Sequence, residues 1–242
     1  MSLKNKVIVI TGASQGLGEA LAYKVAELGA IVILVARTQK LLKKVQQHII
    51  KNGGQADMFV CDIRDLQAVE TTVKKILTKY PNVDILVNNA GVWTDNELEK
   101  TRPELRQIAL DTNTLGNIQF TKTLLPHFEA KNGGYIFNVI SSSGMGGIEA
   151  GHNALWQTYG ASKWALTGFT RALKDALAST KIKVSGFFPG GFESNLYETG
   201  GRKDAHMQFW MMKTEDIADI IVFALTRPDD VLIEELVVTK VK

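Results

Sequence analysis

Short β-branched runs alternate with longer segments of helical period along almost the whole chain, and this alternation admits one broad class of fold. Seven runs read as buried strands, at residues 7–10, 31–35, 58–61, 85–87, 136–140, 184–188 and 236–239. Between them, apolar residues recur at helical spacing over 17–28, 39–51, 66–79, 103–128, 159–177 and 215–225. A strand that is apolar at consecutive positions needs both of its faces covered, and a helix between successive strands is the connection that makes them parallel. The pattern predicts an α/β fold with a doubly wound parallel sheet of about seven strands, flanked by helices on both faces.

A chain of 242 residues, 45% of them hydrophobic, can bury one large core. No repeat, low-complexity tract or Pro/Ser/Gly-rich linker divides it, so residues 1–242 are expected to form a single domain. The net charge of +3 comes from 28 basic and 25 acidic residues spread along the chain, without the basic block that would track a nucleic acid. Cys61 is the only cysteine, which excludes an internal disulfide and a cysteine-based metal cluster. No metal is expected. The polar residues 1–6 lead straight into the first strand, and no apolar stretch approaches the ~20 residues of a membrane span. A cytoplasmic location with no membrane partner is the expectation.

The first strand runs into Thr11-Gly-Ala-Ser-Gln-Gly-Leu-Gly18, and a helix follows. Glycines 12, 16 and 18 allow a sharp turn and bring backbone amides against a pyrophosphate at a helix N-terminus; Ser14, Gln15 and Leu17 share that loop. A glycine loop between strand and helix so near the start is the context of a dinucleotide site in a Rossmann-type sheet. At the end of the second strand an acidic residue would hold the ribose hydroxyls of NAD, yet the chain reads Leu34-Val-Ala-Arg-Thr38. Arg37 can clamp a 2′-phosphate and Thr38 can add a hydroxyl donor, which favours NADP(H) over NAD(H). The alternative for Arg37 is a solvated residue capping the next helix.

Tyr159 and Lys163 stand four positions apart in a helical segment and so share one face. An ammonium group beside a phenol favours phenolate and lowers its pKa from about 10 towards useful acid and base work.

The glycine motif, Asn88-Asn-Ala-Gly91, Asn113, the serines after the fifth strand, Tyr159-x-x-x-Lys163 and Pro189-Gly190 resemble the short-chain dehydrogenase/reductase family, in the family's order and over nearly the full chain. The length and glycine motif are similar to its compact, single-domain oxidoreductase branch. The resemblance implies that Tyr159 is the general acid and base, that Lys163 holds the nicotinamide ribose and stabilises phenolate, and that Asn113 holds a water in a proton relay. It also implies that Asp62 and Ile63 flank adenine, that Asn89, Ala90 and Gly91 line its ribose, and that Pro189, Gly190 and Ser194 meet the nicotinamide end.

A serine hydroxyl completes the family's catalytic set. Ser141, Ser142 and Ser143 run together, and alignment on the strand and its following glycine favours Ser141, with Ser142 and Ser143 turned away. Ser141 lies eighteen positions before Tyr159, several more than the family usually shows, so a local insertion is implied. Within it His152 and Trp156 are substrate-pocket candidates, as are Trp93, Ser143 and Met145. A lid is expected at about residues 192–212, where Phe192, Tyr197 and Trp210 are the candidate contacts. The helices 103–128 and 159–177 resemble those that pair subunits in the family, which implies a homodimer or homotetramer, with Trp164 and Phe169 as interface candidates. The C-terminus lacks the Asp-Gly-Gly run of many members. The leading expectation is an NADPH-dependent carbonyl reductase, or alcohol dehydrogenase in reverse, acting on a small-molecule ketone or secondary alcohol by direct hydride transfer. The alternative is a non-catalytic NADP-binding sensor.

Overall fold

A computed structural model of the chain describes residues 1–94, 103–146, 157–199 and 211–241. Seven parallel strands form one sheet: β1 (Val7–Thr11), β2 (Ile31–Ala36), β3 (Gln55–Val60), β4 (Val83–Asn88), β5 (Gly134–Val139), β6 (Ile182–Pro189) and β7 (Glu235–Val238). Their order across the sheet is β3-β2-β1-β4-β5-β6-β7. The connections run outward in opposite directions from β1, so the chain opens a crevice at the C-terminal ends of β1 and β4, where α/β sheets bind ligands.

Alternation along each strand explains the two-sided burial. Ile8 and Ile10 of β1 face one layer, with α1 (Gly16–Glu27), α2 (Gln39–Lys51) and, at the far edge of the order of helices, α8 (Thr214–Leu225). Val7 and Val9 face the other, with α3 (Leu66–Lys79) and α5 (Asn117–Ala130). Both sets are apolar because neither face meets water.

The predicted strands lie within or across the observed ones, with one informative difference. The third begins at Gln55, three residues before the apolar run at 58–61, and ends before Cys61. As a sheet-edge strand half-open to solvent, β3 carries polar residues that hide its start from a hydrophobic pattern.

The predicted helix over 103–128 is also divided. It runs as α4 (Pro103–Leu110), a π-helical segment (Asp111–Gly116) and α5. Wide π turns occur inside α-helices at functional sites, and this one holds Asn113. Gly116 permits it to press against the loop after β3, since a Cβ there would come within 2.6 Å of the Ile63 carbonyl oxygen. The next long helix, α6 (Gln157–Ala176), buries Tyr159, Ser162, Lys163 and Leu166 along one stripe. A short α7 (Leu196–Thr199) follows β6. No helix among the described residues is long and apolar enough to cross a membrane.

Candidate active site

One cleft runs along the C-terminal ends of the central strands, from the loop after β2 to the segment after β6. Its middle is the glycine loop. Gly12 has φ +66°, and a Cβ on it would sit 2.8 Å from the Cα of Ala90. Gly16 turns at φ +58° and opens α1. Gly18 lies inside the packing and not along the cleft, because a side chain there would strike the Gly12 carbonyl. The loops after β1 and β4 are stitched together: Thr11 Oγ1 accepts from the Asn89 and Ala90 backbone N–H groups, both at 3.0 Å, and Asn89 Nδ2 donates to the Thr11 carbonyl at 2.9 Å. Gln15 precedes α1 in extended conformation and makes no side-chain cap. The first-turn N–H groups therefore carry their partial positive charge beside the cleft, uncovered by a side chain, which fits a pyrophosphate.

At one end stand Arg37, Thr38, Asp62 and Ile63, all on the cleft wall. Arg37 is exposed and makes no ion pair among the described residues. It precedes Thr38, which occupies the N-cap position of α2 without a side-chain cap bond. Asp62 is engaged by Arg64, whose Nε and Nη2 reach its two oxygens at 3.0, 3.1 and 2.6 Å. Hydrogen bonding from Arg64 holds the Asp62 carboxyl below its ordinary range, with Arg37 adding a smaller attraction and burial opposing both. Arg64 escaped the sequence reading, although an acid and an arginine two positions apart at a strand end were visible. Buried Cys61 and Thr112 also line the cleft without having been singled out.

At the other end, Tyr159, Lys163 and Ser141 converge. The Ser141 side chain lies beside the Tyr159 phenol, and its Oγ accepts the Ser143 N–H at 3.1 Å. Ser142 and Ser143 do not turn away as expected: all three serines line the cleft, because a short 3-10 turn (Ser142–Gly144) follows β5 at once. Met145 is a further correction. It packs against Ile140, Leu166 and Phe188 beneath the site and not along the cleft, since Gly144 lets the chain dive onto the Lys163 carbonyl.

The electrostatics depart from the expectation for a phenol beside an ammonium group. Burial pushes the Tyr159 phenol well above its ordinary value, a hydrogen bond from Ser141 opposes this, and Tyr197 adds to it. Burial also pushes Lys163 down, to about 7. Its Nζ donates to the Val139 carbonyl at 3.2 Å and stands 5.7 Å from the Tyr159 ring centroid. A lysine driven towards neutrality by its own desolvation has little charge with which to lower a neighbouring phenol.

Asn113 lies behind the cleft wall and is fully buried. Its Oδ1 accepts the Val92 N–H at 2.7 Å, and its Nδ2 donates to the Val92 carbonyl and to Ser162 Oγ, each at 3.0 Å. Ser162 Oγ in turn donates to the Tyr159 carbonyl at 2.7 Å. The π segment thus ties the loop after β4 to the helix that carries Tyr159 and Lys163.

Trp93 and Tyr197 roof this end. The Trp93 ring centroid is 4.5 Å from that of Tyr159 and 4.8 Å from that of Tyr197, with buried Met211 in the same cluster. Phe192, Ser194 and Tyr197 line the cleft, as do Pro189 and Gly190. Phe192 bridges to Met212, which anchors the base of the segment after β6. His152, Trp156 and Trp210 lie outside the described residues.

The chain is similar to known proteins in both sequence and fold. The chain is 30% identical to an uncharacterized oxidoreductase of Staphylococcus epidermidis over 99% of both chains. It is 31% identical to a fatty acyl-CoA reductase of Acinetobacter baylyi, over 93% of this chain and 75% of that one. Its fold superposes on an alcohol dehydrogenase from the archaeon Thermococcus sibiricus complexed with 5-hydroxy-NADP, with a TM-score of 0.87 and 27% identity, over 98% of this chain and 97% of that one. The short chain dehydrogenase family model matches residues 6–204, which takes in the glycine loop, the serine turn and the Tyr-Lys helix together, and the chain belongs to that family.

Proposed function

We propose that the chain is an NADPH-dependent carbonyl reductase, or alcohol dehydrogenase in the reverse direction, acting on a ketone or secondary alcohol with an apolar or aromatic substituent. The observation that carries the reading is the convergence of Ser141, Tyr159 and Lys163 at one end of a cleft whose other end presents the glycine loop and Arg37. The uncapped N-terminus of α1 suits the pyrophosphate and Arg37 suits a 2′-phosphate. When bound, the reduced dinucleotide supplies hydride.

The chain's own residues supply the proton and the positioning. A buried phenol kept protonated is a donor, so Tyr159 gives its proton to the substrate oxygen while Ser141 hydrogen-bonds the same oxygen as charge develops there. Lys163, whose pKa is pushed down to about 7, stabilises the phenolate in the form that already carries a proton taken from solvent. Asn113 and Ser162 hold the helix of Tyr159 against the loop after β4. Trp93 and Tyr197 shield this end from water and shape the substituent pocket.

Purified protein mixed with NADPH and a panel of ketones is the test. Consumption of NADPH with at least one carbonyl is the expected result; tight NADPH binding without turnover on any of them would replace this reading by a non-catalytic NADP sensor. The exposed Trp164 on α6 and Leu115 beside α5 suit a homodimer or homotetramer, and light scattering that reports monomer alone would refute it.

A further inference from the structure

We propose that Arg64 is a positioning residue for cofactor choice: by taking up the Asp62 carboxylate it leaves Arg37 open to the 2′-phosphate of an NADP-type dinucleotide. The inference rests on the NADP reading of the cleft.

Register places the three charges together. Val35 pairs with Phe59 and Ala36 with Val60, and the Cys61 N–H extends the ladder to the Ala36 carbonyl at 3.0 Å. Arg37 and Asp62 therefore leave adjacent parallel strands nearly side by side, an arrangement in which an acid and an arginine ordinarily pair. They are not paired. Asp62 Oδ1 accepts from the Arg64 backbone N–H at 3.1 Å and from Arg64 Nε at 3.0 Å, while Oδ2 accepts from Nε at 3.1 Å and Nη2 at 2.6 Å. The contact spans two residues and includes an Asx-type turn, so it forms within the loop itself.

Two consequences follow for a phosphate arriving at Arg37. The fork fills the acceptor positions of Asp62, so Arg37 keeps its guanidinium face for the ligand. It also offsets a carboxylate that would otherwise repel the dianion at close range. Without Arg64, Asp62 would turn to Arg37, and the Arg37 guanidinium would be taken up by the carboxylate instead of the phosphate.

Arg64→Gln and the double variant Asp62→Asn/Arg64→Gln test this, with NADP⁺ and NAD⁺ titrated separately by calorimetry on the intact protein. Arg64→Gln is expected to weaken NADP⁺ binding about tenfold with little change for NAD⁺, and the double variant to recover most of the loss. Equal weakening of both nucleotides would overturn the inference, as the fork would then only shape the loop. Failure of the double variant to recover would overturn it too, because Arg64 would be acting on the phosphate directly. Arg37→Ala separates the two levels. If Arg37→Ala lowers the NADP⁺/NAD⁺ preference and Arg64→Gln does not, the role of Arg64 falls and the NADP reading stands; if the unaltered protein shows no preference for NADP⁺, both fall.

Discussion

Lys163 donates its Nζ to the Val139 carbonyl at the end of β5, 3.2 Å away, and reaches the Tyr159 ring only at 5.7 Å from its centroid. Both side chains leave the same face of α6, yet burial and not mutual attraction dominates their titration. The phenol is raised and the amine is lowered. Tyr159 is therefore protonated at neutral pH, the form that the proposed proton donor to a carbonyl requires.

Tyr159→Phe removes the donor while leaving the ring against Trp93. Turnover with NADPH and a responsive ketone is expected to fall by about 10²–10⁴-fold, with NADPH affinity within about twofold of the original. Ser141→Ala should cost roughly 10²–10³-fold, the range for loss of one hydrogen-bond donor to a developing oxyanion. Steady-state kinetics beside a binding titration checks both.

Lys163 predicts a pH dependence of stability. Its folded pKa of about 7 lies below the unfolded lysine value, so between the two the unfolded chain binds a proton that the folded chain does not. Its contribution is complete above about pH 10.4, is lost progressively as pH falls towards about 7, and changes no further below that. Urea unfolding at about pH 7 and about pH 9 should show wild type gaining on the order of 1 kcal/mol per pH unit relative to Lys163→Met. An identical pH slope in the two proteins would exclude a buried, largely neutral lysine.

Arg37→Asp replaces the exposed cation by the acid that a ribose diol prefers. The ratio of NADPH to NADH affinity should fall by at least about tenfold, most of it from lost NADPH binding. Fluorescence titration of both nucleotides measures it; an unchanged ratio would remove Arg37 from the cofactor site.

Trp93→Ala opens the roof over Tyr159. Loss of a ring packed on both Tyr159 and Tyr197 is expected to lower kcat/KM for aryl ketones by about tenfold or more and for small aliphatic ketones by less. A uniform loss across the panel would indicate a structural role for the indole and no part in selectivity.

The architecture and the order of the site were largely legible before the fold was known. β-branched runs announced every strand, the glycine loop, Arg37 and the Tyr159–Lys163 pair were named from residue types and spacing, and Asn113 from the family resemblance. What escaped notice shares one cause. β3 begins in polar residues because it lies at an edge, Arg64 acquires meaning only from the carboxylate that it grips, and Met145 leaves the cleft because Gly144 packs onto α6. None of these has a periodic signature.

By itself, the sequence determined the alternation of strands and helices and singled out the candidate residues in chain order, because strand and helix periods and glycine turns are local properties of the chain. Only the tertiary structure decided how those residues titrate and whom they touch. Ser141 meets Tyr159 across eighteen positions of chain, Asn113 reaches Ser162 from a π turn, and Lys163 loses its solvation beneath β5. Desolvation and long-range hydrogen bonding arise only when separate segments are packed together, so the direction of each pKa shift became readable with the fold.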